Sequence, residues 1–507
     1  MPSAETPAGR ALEIGARLSA PPDPAMVAAA FAGELEGQKG LAAGMGLADL
    51  AHTVMLVEQK VIPKEPGAAL LAALLELQRG PEGFVLDPAL GDLYTNREAW
   101  IAQRTEAAGW LGAGRARREA TTTAWHLAVR AGVLDCAAAL ADCGEALARK
   151  AAALRDALAP DYTYLQAAQP TSFGHYLLTF CFPILRDLDR LRSLHARIDR
   201  SPAGCGSANG SRLPQDRERL SELLGFAGPV VHARDAMWQA DAPIECLGAI
   251  VAALVNLDRL AEDLFFFATA EAGLVELSDA HARASKILPQ KKNPYALAWV
   301  RAVANEMIGV QAAVAASGRT PSGQLDNRLL AYRDVPRALA SAAGAARLMA
   351  GVVDGLRFDA ARAAERLARS FTAATDLSEV LVLEAGLDYR AAQRVIGALA
   401  REFEAQGRRA ASLTPADLAA AAERAIGKPV AVSPESIARA LDPAQAVKAR
   451  TGLGGAAPEP LEVMIAACRA ALAEQRSFCA QAAAAALRSE QSLLATAAEL
   501  SGGGSWR

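Results

Sequence analysis

The chain has 507 residues, 52% of them hydrophobic and 21% charged, with 53 Lys and Arg against 56 Asp and Glu for a formal net charge of −3. The length excludes a small disulfide-stapled scaffold, and the balanced charge excludes a nucleic-acid binder whose affinity would rest on clustered cations. At roughly 150 residues per domain it fits about three domains, or one long helical body with two caps, and the expected partner is a small molecule.

Aromatic residues make up 5%, Ala and Leu are abundant, and alternating β-branched runs are few, so the predicted fold is all-α. The opening stretch MPSAETPAGRALEIGARL holds no apolar core of a secretion signal. Residues 1–110 read as an N-terminal helical cap, broken by Pro and Gly at 63–67 and 79–83. Residues 163–185 carry no formal charge, but Gln166, Gln169, Pro170, Ser172, His175 and Pro183 interrupt them. Such groups are costly in lipid, so a helix buried in protein is expected there and no membrane partner.

Between 239 and 270 the apolar positions Leu254, Leu257, Ala261, Leu264 and Ala268 recur three and four residues apart, a stripe that asks for a bundle. The pattern resumes over 293–315 and 334–349, so residues 111–360 read as a central helical bundle. Residues 361–507 read as a C-terminal helical cap, with helix starts at Thr414-Pro415 and Ser433-Pro434. An extra terminal helix is expected between Pro458 and Leu500, fraying through Ser501, Gly502, Gly503 and Gly504. Seven cysteines, odd in number and without a CxxC, read as buried free thiols in a reducing compartment, the cytoplasm.

The segment most suggestive of chemistry is ASKILPQKKNP, residues 284–294, a polar loop leading into a helix. Its Ser, cations and Asn sit where the N–H groups of a helix start also point at an anion, which suits a carboxylate. A solvated basic loop with a helix cap is the alternative reading.

This loop resembles the signature GSSxMPxKxNP of the aspartase/fumarase superfamily, and its PQKKNP ending is similar to the argininosuccinate lyase branch. TYLQAAQP from Thr163, followed by Gly174-His175, resembles that branch's THLQxAQP block. PQDRER and LLGF within 201–226 are similar to its PIDRE and ELLGF, and GRARRE from Gly114 stands where it has GRSRND. ATDL from Ala374 and the stretch from Val447 to Gly455 are similar to its ATDLA and VxxRxxxGG. The blocks run in one order from about residue 40 to about residue 470. The resemblance implies a three-domain subunit whose central bundles build the twenty-helix core of a homotetramer, with each active site drawn from three subunits. It also implies cofactor-free anti elimination across a C–N or C–O bond of a succinyl group, releasing fumarate.

Removing a proton beside a carboxylate drives charge onto its oxygens, so the site must offer donors to them. The resemblance makes Ser285 the general base and makes Thr163, Lys291 and Asn293 the carboxylate-binding residues. A serine can serve only where cations and amide dipoles stabilise its alkoxide and water is excluded. The departures are informative: Tyr164 and Tyr94 stand where the family has histidines. Either Tyr164 donates the proton to the leaving amine, or the leaving group needs no protein acid. Lys286 replaces the second signature Ser, and Arg118 and Glu119 replace Asn and Asp of the arginine motif. Arg117, Arg118 and Lys286 therefore join the expected substrate-binding set and point to a substrate rich in carboxylates. In the alternative reading Arg115 or Arg118 pairs with Glu98 or Glu119 and never meets ligand.

Residues 320–328, including Gln324, have lost the family's tail-recognition pattern, so argininosuccinate itself is not expected as the substrate. Asp49 replaces a Ser near His52, and His175 reads as a hydrogen-bonded core residue. Glu262 and Asp263 lack further ligands at metal-binding spacing, and no Gly-rich phosphate loop appears, so neither metal nor cofactor is expected. The expectation is a reversible carbon–nitrogen lyase acting on a di- or polycarboxylate, an aminopolycarboxylate of N-succinyl amine type. Two alternatives are elimination of nitrite or a hydrazine from a substituted succinate, and a catalytically silent structural tetramer.

Overall fold

A computed structural model describes residues 17–18, 20–369 and 371–502. Residues 1–16 of the stretch read for a secretion signal, and Gly503 and Gly504 of the expected fray, lie outside the described residues.

Asp23 opens the first helical run by accepting the Ala25 N–H at 2.7 Å. The run continues through a π-helical turn, Val27–Phe31, to α1 (Ala42–Glu58). Pro24–Glu58 is long and apolar enough to cross a membrane by length and composition, a property the sequence reading considered only for 163–185. Within it α1 is buried almost throughout, from Met45 to Leu56, in the protein's own core. The helices α2 (Lys64–Gln78) and α3 (Leu93–Ala102) follow.

The axis of the molecule is α4 (Arg117–Ala153), whose 37 residues span about 55 Å at 1.5 Å per residue. After it come β1 (Leu158–Thr163), β2 (Gln166–Ser172), α5 (Cys181–Ile198) and α6 (Asp241–Phe267). In α6 the stripe Leu254, Leu257, Ala261 and Leu264 is buried as its spacing predicted. The strand pairs β3 (Val275–Glu276) with β6 (Arg357–Phe358), and β4 (Arg283–Ala284) with β5 (Lys292–Asn293), flank α7 (Tyr295–Ser317) and α8 (Asp326–Gly355).

Helices α4 and α8 lie side by side in the same direction. Trp125 Nε1 donates to Ala331 O at 3.0 Å near their starts, and Arg149 meets Asp354 at 2.9 Å near their ends. One contiguous apolar core takes residues from α1, α2, α4 to α8 and the terminal α13 (Pro458–Leu500). A second cluster is built by α9 (Ala374–Ala385), α10 (Tyr389–Ala405), α11 (Pro415–Ile426) and α12 (Pro434–Leu441). Thr414 and Asp417 form a reciprocal capping box at α11, and Ser433 caps α12, which are the two helix starts read from sequence. The protein is all-α, and among the described residues its strands form only two-stranded pairs. All seven cysteines are buried and free.

One expectation is corrected. The buried helix predicted over 163–185 begins instead as the β1–β2 hairpin, with helix only from Phe173. Thr163 pairs with Gln166 around a two-residue turn, Tyr164 and Leu165, with φ of 53° and 57°. Positive φ at both central residues is the primed turn that matches strand twist, and Pro170 disfavours helix before it.

Candidate functional site

The sequence-predicted residues fall at two opposite ends of the bundle. The far end, where α4 finishes, carries the hairpin and the signature loop. Tyr162 of β1 packs edge-on against Phe266 at the finish of α6, with ring centroids 5.7 Å apart, and this seats the hairpin beside the loop between α6 and α7. At the hairpin tip Thr163 is exposed and Tyr164 is 99% exposed.

The signature loop is closed at its base by β4 and β5, which pair Arg283 with Asn293 and Ala284 with Lys292. That register brings Ser285, Lys286, Lys291 and Asn293 into one loop. Ser285 Oγ accepts the amide N–H of Leu288 at 3.1 Å and of Ile287 at 3.4 Å, and Ser285 N donates to Lys291 O at 3.3 Å. Two amide dipoles aimed at a hydroxyl oxygen favour its anionic form, as they would an oxyanion. Asn293 Nδ2 donates to Arg283 O at 2.9 Å, and Lys292 ties the loop to Glu276 at 3.1 Å and Asp279 at 2.7 Å. Lys286 and Lys291 are exposed and form no ion pair among the described residues.

The near end, where α4 begins, holds Arg117 and Arg118. The second substitution-rich segment, with Gln324 exposed in it, leads into α8 at the same end. Arg118 pairs with Glu34 and lies 4.0 Å from Asp92, while Arg117 Nε lies 3.7 Å from Asp92. Beneath them Asp49, fully buried, receives Arg97 Nε at 3.0 Å and Arg115 Nη2 at 2.5 Å. Glu119 accepts the N–H groups of Gly204 at 2.8 Å and Gly206 at 2.5 Å.

The arginines thus have carboxylate partners, and among the described residues the unpaired positive charge expected from sequence does not gather at this end. Arg115 and Arg118 are paired, but with Asp49 and Glu34 rather than with Glu98 or Glu119, the partners considered in sequence. Burial raises the Glu98 carboxyl to about 7, with Asp49 reinforcing it, and burial raises Glu119 to about 7 despite Arg115. Tyr94 is buried and its hydroxyl is pushed above the usual phenol range by burial. His52 donates Nε2–H to Ala113 O at 3.0 Å and is held well below its usual value by burial, then by Arg115.

His175 is half-buried at the hairpin's return, with its Nδ1 3.2 Å from Thr171 Oγ1 and Nε2 3.1 Å from Gly454 O. Buried Arg328 donates to Met237 O and Gln239 O, both at 2.6 Å, so it braces the approach to α6.

Glu34, Asp92, Arg117 and Arg118 line a cleft of about 780 Å³ between the first helical run, the segment before α3 and the start of α8. The carboxylates of Glu34 and Asp92 escaped the sequence reading; only Asp92's place beside Tyr94 in the substituted motif hinted at it. Because α4 separates the two ends by about 55 Å, no single copy can bring Arg117 to Ser285.

Residues 30–309 match the lyase family, and residues 371–448 match the argininosuccinate lyase C-terminal family. The argininosuccinate lyase of Methanoculleus marisnigri is 32% identical over 455 residues, 88% of this chain and 91% of that protein. That of Halobacterium salinarum is 35% identical over 432 residues, 83% of this chain and 85% of that protein. Among solved structures, EDDS lyase in complex with formate superposes with a TM-score of 0.86 at 28% identity, covering 97% of this chain and 98% of that one. An EDDS lyase variant with bound fumarate gives a TM-score of 0.86 at 28% identity and covers 99% of both chains. The chain therefore belongs to the lyase family, as an argininosuccinate-lyase-like carbon–nitrogen lyase of the aspartase/fumarase superfamily.

Proposed function

We propose that the protein eliminates an amine from an N-succinyl-type amino acid, reversibly and without a cofactor, releasing fumarate. Fumarate-lyase elimination follows from the family; the choice of substrate is our reading. The observation that carries it is the Ser285 hydroxyl, turned onto two amide N–H groups in a loop that also presents Lys291 and Asn293.

In this reading Ser285 takes the proton from the carbon beside one carboxylate, and the electron pair moves onto that carboxylate. Lys291, Asn293 and Thr163 stabilise the doubly charged oxygens. The pair then returns to form the carbon–carbon double bond as the C–N bond breaks, and Tyr164 supplies a proton to the departing amine. Lys286 faces the second succinyl carboxylate, and Arg117, Arg118 and Gln324 come from the near end of another copy. That arrangement calls for an assembly of copies, the homotetramer that the resemblance implies, at work in the cytoplasm. EDDS lyase fits an aminopolycarboxylate substrate, and the altered 320–328 segment supports such a substrate over argininosuccinate.

Proton NMR of the protein with fumarate and one amine or amino acid at a time tests this. Loss of the vinyl signal with new succinyl protons, abolished in Ser285→Ala, is expected. Failure of every nucleophile together with no fumarate binding would contradict it and favour a silent scaffold.

A further inference from the structure

We propose that the cleft at the start of α4 seats the amine half of the substrate, and that this half is an α-amino acid with an apolar side chain. The proposal rests on the elimination chemistry above and adds the class of amine.

The charges of the cleft argue first. Among the described residues Arg117 and Arg118 face the carboxylates of Asp92 and Glu34, so the polar floor carries both signs of charge and suits a zwitterion better than a polyanion. Asp92 argues second. It is 4% exposed; its Oδ1 accepts Thr95 N at 3.0 Å and Thr95 Oγ1 at 2.9 Å, whereas Oδ2 is buried with no hydrogen-bond partner among the described residues. The nearest guanidinium atoms, at 3.7 and 4.0 Å, neutralise that oxygen without hydrogen bonding to it. A buried carboxylate oxygen left in this state takes an N–H donor, here the ammonium of the amino acid, while Arg117 on the rim meets its carboxylate.

The wall argues third. It is hydrocarbon, from Met26, Ala30, Phe31, Leu329 and Leu330, with Met26 48% and Leu329 42% exposed. Its first part is the π-helical turn Val27–Phe31, a helix type that recurs at functional sites. A cleft of about 780 Å³ has the size of a small-molecule site, with room for an aliphatic or aromatic side chain against that wall.

The test has two readouts on the intact protein with saturating fumarate: calorimetric binding of leucine, glycine and aspartate, and the rate of fumarate consumption with each. Leucine is expected to bind and react at least tenfold better than glycine or aspartate. Met26→Glu, at a half-exposed position, should lower leucine binding at least tenfold without changing KM for fumarate. Asp92→Asn, which keeps an oxygen for the cap of α3, should weaken all three amino acids. Leucine that binds but never adds to fumarate would overturn the elimination reading and leave the cleft assignment standing. Leucine that does not bind, or binding untouched by both substitutions, would overturn the cleft assignment whatever the fate of fumarate.

Discussion

The two ends of the bundle hold the same kinds of side chain in opposite states. At the start of α4, Arg97, Arg115 and Arg118 are buried or nearly so and each meets a carboxylate, Asp49 or Glu34. At the far end Lys286 and Lys291 stand in solvent with no ion pair among the described residues, around a serine held by amides alone. Buried charges persist only when paired, because desolvation otherwise exceeds what attraction returns. Exposed cations carry no such cost, but water screens them until something covers the loop. In the proposed reading the near end is a preformed half of a site, and the far end becomes a site when another copy closes over it.

The comparison can be broken at either end. Ser285→Ala should have the largest effect, lowering kcat about 10³-fold with folding intact by circular dichroism. Tyr164→Phe should lower kcat by about 10²-fold; unchanged turnover would remove Tyr164 as the proton donor. Asp49→Ala, at the paired end, should act on stability, costing about 3 to 5 kcal/mol in denaturant unfolding because Arg97 and Arg115 lose their buried partner.

The smallest effect expected is pH-dependent. Glu98 is raised by burial from the usual carboxyl value to about 7, so the folded protein holds its proton more tightly than the unfolded chain. The stability from that proton is full below about pH 4.5 and is lost as pH rises towards 7. Glu98→Gln should therefore gain thermal stability relative to the parent as pH rises through this window. A constant difference between the two proteins from pH 4 to 8 would contradict the assignment.

Much of this was legible in the sequence, and the reasons for the misses are physical. The stripe from Leu254 to Leu264 specified α6, and Thr414-Pro415 and Ser433-Pro434 specified the starts of α11 and α12, because periodicity and caps are local signals. The hairpin was hidden because its primed turn uses Tyr164 and Leu165, without the Asn or Gly that usually announces positive φ. The loop carrying Ser285, Lys291 and Asn293 was found through its own contiguous motif. The partners of the arginines were not, since Glu34 lies 84 residues from Arg118 and Asp49 lies 66 from Arg115. No spacing rule links residues that far apart, and a count of positive charges in one motif does not show the carboxylates that face them.

The most direct test of a site divided between copies is to co-express two inactive forms, Ser285→Ala and Arg117→Ala, with different tags, and to purify the mixed assembly. The division of the site predicts fumarate-forming activity in the mixture and none in either parent, because some sites then combine an intact loop with an intact near end. A mixed assembly as inactive as its parents would contradict it.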